Sequence, residues 1–126
     1  MTPTEIVESF YADVWNRRDY DEARRIIAKD FRFRGSLDDE RQGVEGFIDY
    51  NKGVHKALGG YTCTIRDMIV ADGRVAAQMY FEGVHQDDFF GVPATGKTLH
   101  WMGAAFFEIS GGQIQSLWVL GDIDGL

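Results

Sequence analysis

The order of hydrophobic patterns predicts an α+β fold: helical periodicity fills the first half of the chain, and a run of antiparallel strands fills the second. Two observations carry this prediction. Ile6, Val7, Phe10, Tyr11, Val14 and Trp15 recur at helical spacing, whereas Val75, Ala77, Met79, Phe81, Gly83 and His85 alternate at period two. A third is the Gly111-Gly112 pair between two apolar runs, which supplies the positive φ angles of a tight hairpin.

The first helix opens at Thr2-Pro3-Thr4-Glu5, with Thr2 as N-cap, Pro3 in the first helical position and Glu5 completing a capping box. It is expected to stop near Asn16. A second helix runs from about Asp21 to Ala28, and Asp30 to Gly35 alternates as a short strand. Ser36 to Gly43 is polar and charged and reads as a loop. A third helix spans about Val44 to Leu58, ended by Gly59-Gly60. Tyr61 to Val70 and Arg74 to His85 form two strands joined at Asp72-Gly73; Gln86 to Lys97 is a loop rich in Gly, Pro and Asp. The terminal hairpin, Leu99 to Ile109 and Ile114 to Leu120, completes the chain. Counting back from Ser110 and Gln113 pairs Ile109 with Ile114, Phe107 with Ser116, Ala105 with Trp118, Gly103 with Leu120 and Trp101 with Asp122. These ten residues would share one face, leaving Leu117 and Val119 on the other.

Composition narrows the function. A chain of 126 residues with 44% hydrophobic and 13% aromatic residues is expected to form one domain over 1–126 with a real core. The net charge of −7 opposes a nucleic-acid partner, since phosphate binding draws on concentrated positive charge. The single cysteine, Cys63, precludes an internal disulfide and fits a reducing cytoplasm; no apolar run approaches the length of a membrane span. The three histidines lack metal-ligand spacing, so no metal is expected.

Asp122 stands at the end of an apolar face. Among Trp101, Trp118 and Leu120 a carboxylate would be desolvated, which raises its pKa and strengthens it as a base for abstracting a proton next to a carbonyl. The alternatives are a solvated strand end, or a cap for the turn Gly121-Asp122-Ile123-Asp124-Gly125. His85 ends the apolar face of its strand and is either an acid partner for Asp122 or a strand-end histidine touching the loop. His100 alternates away from Trp101, and His55 reads as an edge residue of the third helix. Arg32 and Arg34 share one strand face opposite Phe31 and Phe33; Arg34 either lies in solvent or points inward to a substrate or to Asp122. An aromatic set that includes Tyr11, Phe81, Trp101, Phe107 and Trp118, with Met79 on the same strand face as Phe81, would suit a flat hydrophobic ligand.

Phe90-Gly91-Val92-Pro93-Ala94-Thr95-Gly96-Lys97, then Trp101-Met102-Gly103, Gly112-Gln113-Ile114 and Trp118-Val119-Leu120-Gly121-Asp122, resemble the SnoaL-like polyketide cyclases of the nuclear-transport-factor-like superfamily. Phe10-Tyr11 and Trp15-Asn16, followed by Asp19 and Asp30, resemble the same family's opening. The resemblance implies a cone: a curved antiparallel β-sheet wrapped around three N-terminal α-helices, with a cofactor-free pocket. It implies an intramolecular aldol-type cyclase acting on a small hydrophobic carbonyl compound. Asp122 would be acid and base, His85 its helper, and Trp101, Trp118, Phe81, Met79, Phe107, Arg34 and Tyr11 the substrate-binding set. Where the antibiotic cyclases carry a His two residues before the Asp, this chain has Leu120; where many relatives carry a His in the first strand, it has Arg34. The competing expectations are an isomerase or dehydratase in the same cone, and a non-catalytic module that binds a small ligand or dimerises through its convex face.

Overall fold

The computed structural model describes residues 1–124 and 126; Gly125, in the turn expected after the last strand, lies outside them. Helix α1 (Pro3–Ser9) continues as a π-helical stretch over Phe10–Asn16, and α2 (Tyr20–Ile26) leads directly into β1 (Ile27–Arg34). A short β2 (Glu40–Gln42) precedes α3 (Gly43–Ala57), after which β3 (Leu58–Ala71), β4 (Arg74–His85), β5 (Thr98–Ser110) and β6 (Gln113–Gly121) complete the chain. The six strands form one open sheet in the order β2-β1-β6-β5-β4-β3. The expected α+β architecture, three N-terminal helices against a curved sheet, is what the chain adopts. The sheet is mixed: β1 runs parallel to β6, and every other pairing is antiparallel. Among the described residues no helix is long and apolar enough to cross a membrane.

The N-terminal capping box forms as its residues dictate. Thr2 Oγ1 accepts the Glu5 N–H at 3.2 Å, and Glu5 Oε1 accepts the Thr2 N–H at 2.8 Å. The apolar stripe from Ile6 to Trp15 is buried throughout. At its end the Asn16 side chain donates to the Cys63 carbonyl and accepts the Cys63 N–H, at 3.0 and 2.8 Å. That pair of bonds pins the first helical segment across β3. On the sheet, the β4 alternation places Val75, Ala77, Met79, Phe81, Gly83 and His85 on the buried face, as the period-two pattern requires. Phe107 of β5 meets Phe10 and Tyr11 edge-on, with ring centroids 5.6 and 5.9 Å away.

The terminal hairpin departs from the expected register. Its turn is at Gly111-Gly112, with φ of +61° and +75°, and Ser110–Gln113 and Ile109–Ile114 pair as counted. Gln115 then forms a β-bulge, so Glu108 pairs with Ser116, Phe107 with Leu117, Ala105 with Val119 and Gly103 with Gly121. One inserted residue exchanges the two faces of the remaining strand. Leu117 and Val119 are therefore buried, at 2% and 4% exposure, while Trp118 and Leu120 are 47% and 52% exposed. The expected convex-face pair is in the core, and Trp118, expected on the pocket side, is outside, whereas Trp101 is buried.

Candidate functional site

At the open end of the concave face, beyond Trp101, lies a pocket of about 460 Å³. Leu37, Leu99 and His85 form its inner side; Phe89, Phe90, Val92, Thr95 and Lys97 come from the loop after β4, and Ile123 and Leu126 from the tail. The loop is folded over its own strand end. Phe89 and Val92 bridge to each other, and the backbone returns to pair Lys97 O with the His85 N–H and the Gly96 N–H with His85 O, at 2.9 and 2.8 Å. Phe90 adopts a left-handed φ of +51° yet is 61% exposed beside the pocket. A non-glycine residue there carries strain of roughly 1–3 kcal/mol.

His85 is 3% exposed and both of its ring nitrogens are engaged. Nε2 lies 3.1 Å from the Val92 carbonyl oxygen, and Nδ1 lies 3.0 Å from Thr95 Oγ1. A carbonyl can only accept, so the hydrogen-bond network assigns the proton to Nε2. In the neutral ring, Nδ1 then accepts from the Thr95 hydroxyl, which itself accepts the Lys97 N–H at 3.3 Å. His85 thus combines an acid–base group with the fastening of the loop that walls the pocket.

Behind Trp101 the cone is nearly filled. The space left there is about 20 Å³, lined by Tyr11, Trp15, Ser36, Tyr50, Tyr61 and Phe81 among others. That is room for about one water molecule. Trp101 donates from Nε1 to Ser36 Oγ at 3.2 Å, and the Tyr11 hydroxyl is buried without a partner. Burial pushes the hydroxyls of Tyr11 and Tyr61 well above the ordinary phenol range, and the Tyr50 hydroxyl and Cys63 thiol upward as well. Met79 and Phe107, at 0% and 1% exposure, are packed core. The tip of the hairpin's open end is closed too: a Cβ on Gly121 would lie 2.5 Å from Ser36 O.

The remaining expected site residues stand elsewhere. Asp122 is exposed; its N–H donates to Met102 O at 2.8 Å, and it borders an open depression of about 520 Å³ with Gln78, Met102 and Leu120 on the outer face. The bulge at Gln115 is the cause, because it turns Trp118, Leu120 and Asp122 away from the concave side. Trp118 packs on Phe106 at 5.9 Å beneath the Arg34 guanidinium, 5.3 Å from the ring centroid. Arg34 pairs with Asp38 at 2.9 Å and donates to the Val119 carbonyl, with Phe33 inward beside it. So the structure sets His85 at the pocket, keeps Trp101, Phe81, Met79, Phe107 and Tyr11 as the core beneath it, and leaves Asp122, Trp118 and Arg34 outside. His100 stacks on Tyr80 on the outer face. His55 Nε2 donates to the Trp15 carbonyl at 2.7 Å, and burial lowers its pKa. Lys97 was missed by sequence reasoning. Its one signal was position, as the cation after Thr95-Gly96 in the loop that covers an apolar strand end.

Three N-terminal helices packed on one face of an open curved sheet define the class of cone-shaped α+β proteins. Within it the assignment is specific: the sequence profile of the SnoaL-like polyketide cyclases matches residues 5–126, and the chain belongs to that family. Among solved structures, a protein assigned as a SnoaL-like polyketide cyclase from Jannaschia sp. CCS1 superposes with a TM-score of 0.86 at 20% identity, covering 95% of this chain and 85% of that one. TsrD from Streptomyces laurentii gives 0.85 at 21%, covering 97% and 89%. A SnoaL-like polyketide cyclase from Agrobacterium tumefaciens C58 gives 0.82 at 18%, covering 98% and 93%. At these identities the superpositions establish the fold. No curated protein gives a significant match to the sequence.

Proposed function

We propose that this chain binds a small hydrophobic carbonyl compound in the pocket at the cone mouth and performs cofactor-free acid–base chemistry on it, of the aldol type that closes a ring. The observation that carries the reading is the apolar pocket of about 460 Å³ with a buried imidazole in its wall. Once a substrate displaces the Val92 carbonyl, the ring can carry its proton on Nδ1 and donate it to Thr95 Oγ1. Nε2 then takes the proton next to the substrate carbonyl, and the imidazolium returns that proton to the alkoxide formed when the new C–C bond closes. Leu37 and Leu99 supply the apolar wall beside the imidazole. A base role for Asp122 requires its carboxylate to swing to the side that its neighbour Ile123 already lines.

The test is turnover of a panel of aromatic β-keto esters and diketones, monitored by loss of enol absorbance. The expected result is that His85→Gln loses about 100-fold or more, whereas Asp122→Asn changes the rate little. Loss in Asp122→Asn with none in His85→Gln would transfer the chemistry to the carboxylate and refute the assignment.

A second reading rests on a different observation. The space beside Tyr11 inside the cone is only about 20 Å³, while Met102, Phe106, Trp118 and Leu120 are all more than 40% exposed on the outer sheet face. Such a face suits a homodimer, with the chain serving as a binding or dimerisation module. Sedimentation of Trp118→Glu against the unaltered chain tests it: a dimer that persists unaltered would remove this face from the interface.

A further inference from the structure

We propose that the ligand of the mouth pocket is an anion: a flat apolar body bearing a carboxylate or a comparable acidic group, held against Lys97. This deepens the reading above and rests on the mouth pocket being the ligand site. Lys97 is the only permanently charged side chain among the pocket's described lining residues. Among the described residues no carboxylate lies within 4.0 Å of its ammonium; Arg18, Lys29, Arg32, Lys52 and Arg66 also lack such a partner, and what distinguishes Lys97 is that it lines the pocket. In a chain with twenty acidic and thirteen basic residues, the side chains that line this pocket include one cation and no carboxylate, with Asp87, Asp88, Asp122 and Asp124 close to them in sequence.

The backbone that carries that charge is tied to the strand end. Lys97 O accepts the His85 N–H at 2.9 Å, and the Lys97 N–H reaches Thr95 Oγ1 at 3.3 Å. The Lys97 backbone therefore shares Thr95 Oγ1 with the His85 imidazole and leaves the Lys97 side chain beside it at the rim. Lys97 is exposed at the rim of the pocket, so its ammonium acts there as a solvent-accessible cation beside apolar walls from Leu37, Phe89 and Leu99. An acidic group at Lys97 would orient a ligand with its apolar body toward Trp101 and its functional group within reach of His85.

The experiment uses two probes with the same aromatic frame: 1-anilinonaphthalene-8-sulfonate, an anion, and N-phenyl-1-naphthylamine, which is neutral. Binding of each is measured by fluorescence to the unaltered chain, to Lys97→Met and Lys97→Arg, and to Leu99→Trp, which fills the pocket. Lys97→Met is expected to weaken the anionic probe by about two- to fivefold, the range of a solvent-accessible ion pair, and to leave the neutral probe unchanged. Lys97→Arg should retain anion binding, and 1 M salt should abolish the difference between the unaltered chain and Lys97→Met. If the neutral probe binds and Lys97→Met weakens both probes equally or neither, the anion proposal is overturned while the pocket stands. If neither probe binds, or Leu99→Trp displaces neither, the mouth-pocket reading itself fails and the proposal with it.

Discussion

Replacing Leu117 and Leu120 by alanine, one at a time, separates the two possible faces of β6. Leu117 is 2% exposed and opposes Phe107 across the strand pair; Leu120 is 52% exposed and opposes Ala104. Truncating a fully buried leucine removes its transfer free energy and leaves a cavity, a loss of about 2–5 kcal/mol. Truncating a half-exposed leucine on an outer face costs about 0.5 kcal/mol. With urea m-values of roughly 1–3 kcal/mol per molar for a domain of this size, Leu117→Ala should lower the midpoint by about 1–3 M. Leu120→Ala should move it by a few tenths of a molar at most. The assay is equilibrium urea unfolding monitored by far-UV circular dichroism. In the unbulged register the order reverses, because Leu120 would lie inside and Leu117 outside. A larger loss in Leu120→Ala would refute the bulge at Gln115 and return Trp118 and Asp122 to the concave side.

Buried polar groups give three further outcomes. Tyr11→Phe removes a hydroxyl that has no partner, so stability in urea should be unchanged or higher by about 1 kcal/mol; a clear loss would reveal a bonded water in the small chamber behind Trp101. Cys63 is buried and its thiol is held in the neutral form, so it should resist an aromatic disulfide reagent in the native protein and react fully in urea; rapid native labelling would contradict its placement. His55 has its pKa lowered, first by burial, so between its ordinary value and the lower folded one the unfolded chain binds the extra proton. Its contribution is present above about pH 6.5 and is lost as the pH falls through the folded pKa. Stability should therefore fall more steeply from pH 7 to pH 5 in the unaltered chain than in His55→Gln, and equal slopes would exclude this role.

Where the sequence was legible, each face differed from its opposite. The β4 strand sets Val75, Ala77, Met79 and Phe81 against Arg74, Gln78 and Glu82, and so carries its own phase; the Thr2-Pro3-Glu5 start and the Gly111-Gly112 turn carry local chemistry that tertiary packing had no reason to override. The β6 strand offers no such contrast. Leu117-Trp118-Val119-Leu120 is apolar on both faces, and the bulge falls at Gln115-Ser116, where either residue tolerates partial exposure. Nothing in that stretch fixes the phase, so the register came from the turn alone and slipped with one inserted residue. The error carried through to Asp122, Trp118 and the Leu117–Val119 pair. His85 was legible as the polar end of an apolar alternation. Lys97 was not, because a loop residue has no period to depart from. The short β2 strand was hidden in a charged segment, since it pairs only at a sheet edge.

The parallel pairing of β1 with β6 also sets a timetable. Arg34 aligns with Trp118, so β1 must wait for roughly eighty more residues before its inner edge is covered, an interval of several seconds at synthesis rates of about 5–20 residues per second. Until then the strand's backbone pairs only with the three-residue β2 among the described residues, while Phe47 of α3 covers Phe31 and Phe33 at ring-centroid distances of 5.7 and 5.0 Å. A nascent chain of this protein is thus most exposed to chaperone capture, and to pairing with a second copy, through its earliest strand.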